Sequence, residues 1–497
     1  MSIKSIAAKY FAQYIVARTR KWASNPVKTQ NKVFKNLMTT AASTRIGLDH
    51  DFKTIKTHAD FVRKVPVRDY EALRSYVDRA VAGEEDILWP GKPLYFAKTS
   101  GTTSGAKYIP ITRESMPTHI QAARNAILHY AAESGKTDFV NRKMIFLQGS
   151  PVLQEKNGIK LGRLSGIVAH YVPQYLQKNR LPSWETNTIE DWETKVDAVV
   201  TETQSEDLGI ISGIPPWVQM YFERLQARTG KKIGDLYPNF QLFIYGGVNY
   251  APYKSKFEDL IGRPVDHVEL YPASEGFFAY QDKQDGEGML LLLDAGIFYE
   301  FIEAAHFYEE NAQRLTIGEV RLGVNYVMII STTAGLWAYN VGDTVQFTSL
   351  APYRLQVTGR IKHFISAFGE HVISKEVERA MAEALHVHSA RLNEFTVAPQ
   401  INPSQGLPYH EWFIEFEQEP EDLTAFARTL DVELQKQNSY YKDLIDGKVL
   451  QTLKIERLPN NAFNDYMRKQ GKLGGQNKLP RLSNDRKIAD ALPVVHS

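Results

Sequence analysis

The chain has 497 residues, enough for one large and one small folded unit or for about three at roughly 150 residues each. With 59 Lys and Arg against 57 Asp and Glu, its formal charge of +2 argues against a nucleic-acid binder driven by bulk charge. Cysteine is absent, which excludes disulfides, thiolate nucleophiles, zinc–thiolate sites and iron–sulfur clusters, while 43% hydrophobic residues suffice for a large core.

At the N-terminus, Ile3, Ile6, Ala7, Tyr10, Phe11 and Tyr14 recur at helical spacing, with Lys4, Lys9, Arg18, Arg20 and Lys21 among and after them. Such a basic amphipathic helix could lie on a membrane surface, but Tyr and Ala dilute its apolar face, so a helix docked on the core is expected. No apolar run reaches the roughly 18 residues that span a bilayer, and no secretory h-region opens the chain. A cytoplasmic enzyme with no integral membrane segment is therefore the expectation.

From about residue 90 to 350, short apolar runs alternate with longer amphipathic ones. Met144–Leu147, Leu242–Tyr245, Val265–Tyr271, Met289–Leu293 and Tyr326–Ser331 are predicted strands, and Arg113–Glu133, Trp217–Arg228 and Pro252–Ile261 predicted helices. That alternation predicts an α/β fold, a large N-terminal domain (1–357) with mostly parallel sheets flanked by helices. Pro215-Pro216 is placed to start a helix. After Thr358–Lys362 the pattern changes to a helix at Ser374, a strand at Trp412–Phe416, a helix at Asp422–Gln437 and a strand at Val449–Ile455. These make a small C-terminal α+β domain (358–497), joined by a short hinge. The stripe Trp412, Ile414, Phe416 is expected to be core, and Glu300 to be strand surface or pocket wall.

The densest chemical signal is Lys98-Thr99-Ser100-Gly101-Thr102-Thr103-Ser104-Gly105-Ala106-Lys107. Glycines let backbone N–H groups converge, hydroxyls donate to phosphate oxygens and ammonium groups neutralise charge, so the segment suits an oligophosphate loop. It is not a Walker A loop, because three residues rather than four separate its glycines. Tyr271-Pro272-Ala273-Ser274-Glu275-Gly276 follows a predicted strand, and loops beyond strand carboxyl ends are where open α/β sheets bind ligands. Tyr339-Asn340-Val341-Gly342-Asp343 puts a carboxylate able to accept from a ribose diol in a turn after an aromatic, and Gly359-Arg360-Ile361-Lys362 lies at the hinge. His170, His363 and His371 lack metal-ligand spacing.

In order and spacing these four segments resemble the adenylate-forming superfamily of acyl-CoA synthetases, peptide-synthetase adenylation domains and luciferases. Within it the chain is most similar to the auxin-responsive-promoter (GH-three) family of acyl acid–amido synthetases. That resemblance rests on Tyr245-Gly246-Gly247-Val248-Asn249, Ser212–Trp217, Phe298–Ile302, Thr332–Tyr339 and the tail Gly475-Gln476-Asn477-Lys478-Leu479-Pro480-Arg481. It implies a site for ATP and Mg²⁺: Ser100, Gly101, Thr102 and Thr103 on the phosphates, Lys107 supporting them, Tyr271 on adenine and Ser274 on the α-phosphate. Gly247, Ala273 and Gly276 would line the nucleotide, Glu275 would bind the metal, and Asp343 with Arg360 would take the ribose. Lys362 would be the hinge and Lys478 the mobile lysine bridging carboxylate and α-phosphate. The implied reaction joins a small-molecule carboxylic acid to an amino acid through an acyl adenylate, with no nucleic-acid partner. The acyl pocket is expected near Gly162–His170, Ile214–Trp217, Gly246–Asn249 and Ile297–Phe301. An acyl-CoA ligase, or a nucleotide-binding protein without turnover, are the alternatives. The sequence departs from the family pattern at Asn340, where Arg is usual, and at Pro272-Ala273.

Overall fold

The structure, a computed structural model, describes all residues except 1, 103–104, 173–176, 190, 248–249, 362–363, 366–371, 447–448, 474–477, 484 and 496–497. The side chains of 100–106, 216, 252, 364–365, 439–440 and 443 also lie outside the described set. Two compact units form, one from residues 1–247 and 261–356, the other from 248–260 and 357–497. Residues 248–260, read from the sequence as part of the large domain, pack with the second unit.

Strands of the first unit are β1 (Tyr95–Thr102), β2 (Gly105–Ile111), β3 (Lys143–Phe146), β4 (Gln154–Lys156), β5 (Ile159–Gly162), β6 (Arg180–Leu181), β7 (Leu208–Ser212), β8 (Leu242–Gly246), β9 (Asp266–Ala273), β10 (Gly276–Tyr280), β11 (Met289–Leu291), β12 (Ile297–Glu303), β13 (Asn325–Thr332) and β14 (Tyr339–Leu350). β15 (Tyr353–Arg360) begins in this unit and ends in the second. An eleven-stranded sheet runs β12-β13-β14-β15-β11-β10-β9-β8-β7-β3-β6, and a four-stranded one β2-β1-β5-β4.

The fold class is α/β as the alternation implies, yet parallel pairing in the large sheet is confined to β6-β3-β7-β8-β9. Among the described residues, the ladders β9-β10-β11-β15 and β12-β13-β14 are antiparallel. The reason is connection length. Helices such as Pro215–Thr229 and Lys254–Ile261 cross between parallel strands, whereas β9 and β10 are joined by two residues, a link too short for a crossover. Helix Pro215–Thr229 begins with proline at its first turn and ends at Gly230 in the left-handed region (φ 67°), both consistent with local sequence preference.

In the second unit, the helix Ser374–Val387 packs with the helix Leu423–Gln437 against a three-stranded sheet. Its strands are β18 (Arg391–Gln400), β19 (Tyr409–Gln418) and β20 (Lys454–Arg457), while β16 (Phe364–Ile365) and β17 (Val372–Ile373) form a short hairpin. Trp412, Ile414 and Phe416 are buried in the core with Phe395, Phe426 and Leu430. The predicted strand Val449–Ile455 is displaced to β20. Leu450 and Leu453 are instead core residues, and Leu453 N donates to the buried Asp431 Oδ1 at 3.0 Å.

Candidate active site

The parallel strands β3, β7, β8 and β9 direct their carboxyl ends to one edge of the sheet, the position at which open α/β sheets take ligands. Backbone approach is close there. A methyl group on Gly246 would collide with the Leu270 carbonyl and the Pro272 ring, and Gly247 adopts a φ of +78°. Gly246 and Gly247 therefore leave bare backbone beside the end of β9.

β9 turns directly into β10, with Ala273 paired to Gly276 and Ser274 and Glu275 forming the two-residue turn. A Cβ at Gly276 would come within 2.7 Å of Ile297 Cδ1, so any larger residue there would have to displace the Ile297 side chain. Ser274 is buried and Glu275 half-buried. The Tyr271 hydroxyl donates to Asp343 Oδ2 at 2.8 Å, joining two motifs 72 positions apart. The Tyr271 ring is 6% exposed and packs edge-on against Phe278, at 5.0 Å between centroids. The hydrogen bond holds the Asp343 carboxylate in one orientation. Tyr339 Oη lies 3.5 Å from Glu275 Oε1, so the aromatic that opens one motif reaches the carboxylate of the other.

Asp343 owes its direction to an irregularity in β14. Val327 opposes Thr344 and Ile329 opposes Asn340, so two extra residues are inserted on the β14 side. Gly342 accommodates the insertion at φ +86°, and such bulges re-aim side chains next to functional sites. Asn340 Oδ1 accepts from the Gly342 N–H at 2.8 Å, a local turn that Asn makes and Arg cannot. The residue that departs from the family pattern thus shapes the bulge.

Ser100, Gly101 and Thr102 continue β1, which pairs with β2 through Thr99–Lys107 and Thr102–Gly105, so the expected loop is the tip of a β-hairpin. Thr103 lies outside the described residues. Lys107 Nζ stands 5.6 Å from the centre of the buried Tyr70 ring, and Tyr70 Oη accepts from Tyr108 N at 2.9 Å. Arg360 ends β15 and Lys478 is exposed, both in the second unit. Lys362, His363 and His371 lie outside the described residues.

Three features were not foreseen. Glu300 is neither strand surface nor pocket wall. It is fully buried, held by Arg314 at 2.9 and 2.7 Å and by His58 Nε2 at 2.7 Å. Every residue of Ile297–Phe301 is buried in β12, making that segment core. Lys195, carried on the helix Trp192–Thr203, donates to Gln148 O at 2.9 Å and Asn187 O at 2.7 Å. It ties the chain beyond β3 to that helix, and burial pushes its ammonium pKa down to about 8. No local signal marks Lys195, because its acceptors are backbone carbonyls from other segments. Elsewhere in the expected acyl region, Trp217 packs on Trp192 with ring centroids 4.5 Å apart and planes tilted by 43°, and His170 Nε2 lies 3.0 Å from Pro151 O.

Models of the GH3 family N-terminal, central and C-terminal domains match residues 16–196, 290–360 and 375–487. The chain is 22% identical to indole-3-acetic acid-amido synthetase GH3.15 of Arabidopsis thaliana over 514 aligned positions, covering 85% of this chain and 84% of that protein. Indole-3-acetic acid-amido synthetase GH3.3 of the same plant is 24% identical over 238 positions, 45% of this chain and only 40% of that protein. The solved structure of GH3.15 acyl acid amido synthetase superposes with a TM-score of 0.78 at 16% identity, covering 97% of this chain and 96% of that one. A 2-hydroxyisobutyryl-CoA ligase in its postadenylation state superposes with a TM-score of 0.58 at 13% identity, covering 96% and 90%.

Proposed function

The chain belongs to the GH3 family, and on that premise we propose that it is an acyl acid–amido synthetase that activates a small carboxylic acid with ATP and joins it to an amino acid. In the first half-reaction a carboxylate oxygen attacks the α-phosphorus of ATP. The new O–P bond replaces the bond to the β-phosphate bridge, and pyrophosphate leaves. In the second, the amine of the amino acid attacks the acyl carbon, AMP leaves, and the amine surrenders a proton. The carboxylate is already ionised at neutral pH, so the first step needs no base, but it brings two anions together. Cations and fixed donors must offset that repulsion, and each such donor is typically worth on the order of 10²–10³ in rate.

The donor set fits the nucleotide. Asp343, fixed by Tyr271, has the chemistry to accept from a ribose diol. Ser274 and the bare backbone at Gly246 and Gly247 stand at the strand ends, and Ser100, Gly101 and Thr102 of the β1–β2 hairpin, with Thr103 next in sequence, are the proposed phosphate donors. Lys107 supports that hairpin, and Arg360 adds to the ribose contact. Glu275 is the carboxylate suited to Mg²⁺, which typically takes one or two protein carboxylates with the rest from phosphate and water and would neutralise phosphate charge. Lys478 supplies the cation for the developing charge at the α-phosphate, with Lys362 as hinge.

The observation carrying this reading is the Tyr271–Asp343 hydrogen bond, which unites two separate motifs at the carboxyl ends of the parallel strands. Product analysis tests it. The chain with ATP, Mg²⁺, a panel of carboxylic acids and a mixture of amino acids should yield an amide conjugate and AMP. Thioester with coenzyme A and no amide would replace this reading with an acyl-CoA ligase. Asn340, the departure from the family pattern, would favour a nucleotide-binding protein without turnover, and ATP binding without any acid-dependent pyrophosphate exchange would replace this reading with that one.

A further inference from the structure

The N-terminal helix Ile3–Ala23 packs Ile15 and Trp22 on the core but leaves five other large apolar side chains exposed. The residues it buries against the helix Met116–Ser134 and its neighbours are small or medium: Ser5, Ala12, Ile15 and Thr19. Ile3 is 87% exposed, Tyr10 69%, Tyr14 56%, Ile6 44% and Phe11 41%. At 100° per residue these five fall within one sector of the helix, opposite the sector that docks. A core-docking helix normally buries such residues, since each costs free energy in water roughly in proportion to its apolar area. Here the docking face is satisfied by other residues, and a second apolar face is left over.

The charge the helix itself brings to this face is of one sign. The helix carries Lys4, Lys9, Arg18, Arg20 and Lys21 and no carboxylate. By the same rotation, Lys4 flanks the stripe on one side and Lys9 and Arg20 on the other, with Arg18 and Lys21 continuing it toward the C-terminal end. Arg18 stands 6.0 Å from the Tyr14 ring centre, and Arg124 from the neighbouring helix stands 5.4 Å from that of Phe11. Two carboxylates come near the helix from other segments: Asp138 on the docking side, where Ser5 Oγ donates to it at 3.3 Å, and Asp294, which interacts electrostatically with Arg18, leaving Lys4, Lys9, Arg20 and Lys21 as the rest of the basic rim.

We propose that this helix face is a peripheral docking surface for an anionic lipid bilayer, seated with Ile3, Ile6, Tyr10, Phe11 and Tyr14 in the acyl–headgroup boundary and its lysines and arginines among anionic headgroups. Tyrosine suits that depth because its ring is apolar and its hydroxyl wet. A basic rim around an apolar stripe is the pattern of helices that lie in the interfacial plane. A second copy of the chain is a poorer occupant, since two such faces would bring like charges together. A nucleic acid would leave the apolar stripe exposed.

Flotation of the full chain with vesicles tests the proposal. With phosphatidylcholine vesicles containing about a third phosphatidylserine, the chain should float at low salt and be released as salt rises. With pure phosphatidylcholine it should remain largely free. Lys4→Gln and Lys9→Gln should each weaken binding about fivefold. Tyr10→Ser with Tyr14→Ser should abolish it while leaving the melting temperature and ATP binding unchanged, which separates lost docking from lost folding. Failure to float with the anionic vesicles at low salt would overturn the proposal. So would concentration-dependent dimerisation that the Tyr10→Ser, Tyr14→Ser variant removes, because a second copy would then own the face.

Discussion

The carboxylate-bearing strand ends of the first unit and the lysine-bearing tail of the second are built in opposite ways. In the first, the functional groups themselves are tied down: Tyr271 holds Asp343, Tyr339 reaches Glu275 and Asn340 fixes the bulge between them. In the second, Lys478 is exposed, and the immobilised residue is Arg481, three positions later. Arg481 donates to Glu378 at 3.2 Å and to Tyr253 Oη at 2.7 Å, pairs with Glu394, and lies over the Phe395 ring at 4.8 Å. Strand pairing secures the same tail, since Val397 N donates to Arg481 O at 2.9 Å and Ser483 N to Val397 O at 3.0 Å. The contrast suits a division of labour. Groups that bind a resting nucleotide gain from being pre-set. A cation needed when charge develops can stand on an exposed side chain carried by a firm base.

Removing the firm base should have the largest effect. Arg481→Ala leaves Glu378 and Glu394 without their shared cation, a loss of about 3–5 kcal/mol, because an uncompensated buried charge costs more than the pair contributes. Chemical denaturation should show the second unit unfolding first, and a loss below about 1 kcal/mol would mean that the cluster is not an anchor. Lys478→Ala should lower the adenylation rate on the order of 10²–10³ with unfolding midpoint and ATP affinity nearly unchanged. Equal losses of ATP binding and rate would erase the proposed distinction between the two regions. Asp343→Ala should act in the reverse sense, weakening ATP binding by roughly 1.5–3 kcal/mol, the range for hydrogen bonds to a charged group. Titration calorimetry giving wild-type affinity would remove Asp343 from the ribose site. Tyr271→Phe is the mildest change, about 1 kcal/mol in ATP affinity through loss of orientation at Asp343. An effect as large as that of Asp343→Ala would instead put Tyr271 in direct contact with the nucleotide.

Much of this was legible in sequence where the signal is local. The Ser274-Glu275-Gly276 and Gly342-Asp343 turns use residues whose turn chemistry is short-range. The apolar runs of β3, β8, β9 and β13 were found because they are long enough to exceed chance. What escaped depends on distant partners. Glu300 pairs with His58 from 242 positions away, and residues 248–260 join the second unit, where Tyr253 meets Arg481 across 228 positions. The segment Ser100–Gly105 reads as a loop from its glycines and hydroxyls, yet β1 and β2 are registered by the apolar pairs Phe96–Pro110 and Ala97–Ile109 below it. The β14 bulge is a property of two strands together, so the Asn340 substitution looked like a loss of charge when its visible function is a turn.

The first unit's strand ends are proposed to bind ATP so that a carboxylic acid can be adenylated. Trapping with hydroxylamine tests it most directly: the full chain, ATP and Mg²⁺ are incubated with a panel of carboxylic acids, and acyl hydroxamate is measured with the AMP released. At least one acid should give hydroxamate and AMP in equal amounts, with both reduced in the Asp343→Ala variant at limiting ATP. ATP binding with no acid in the panel yielding hydroxamate would contradict the account.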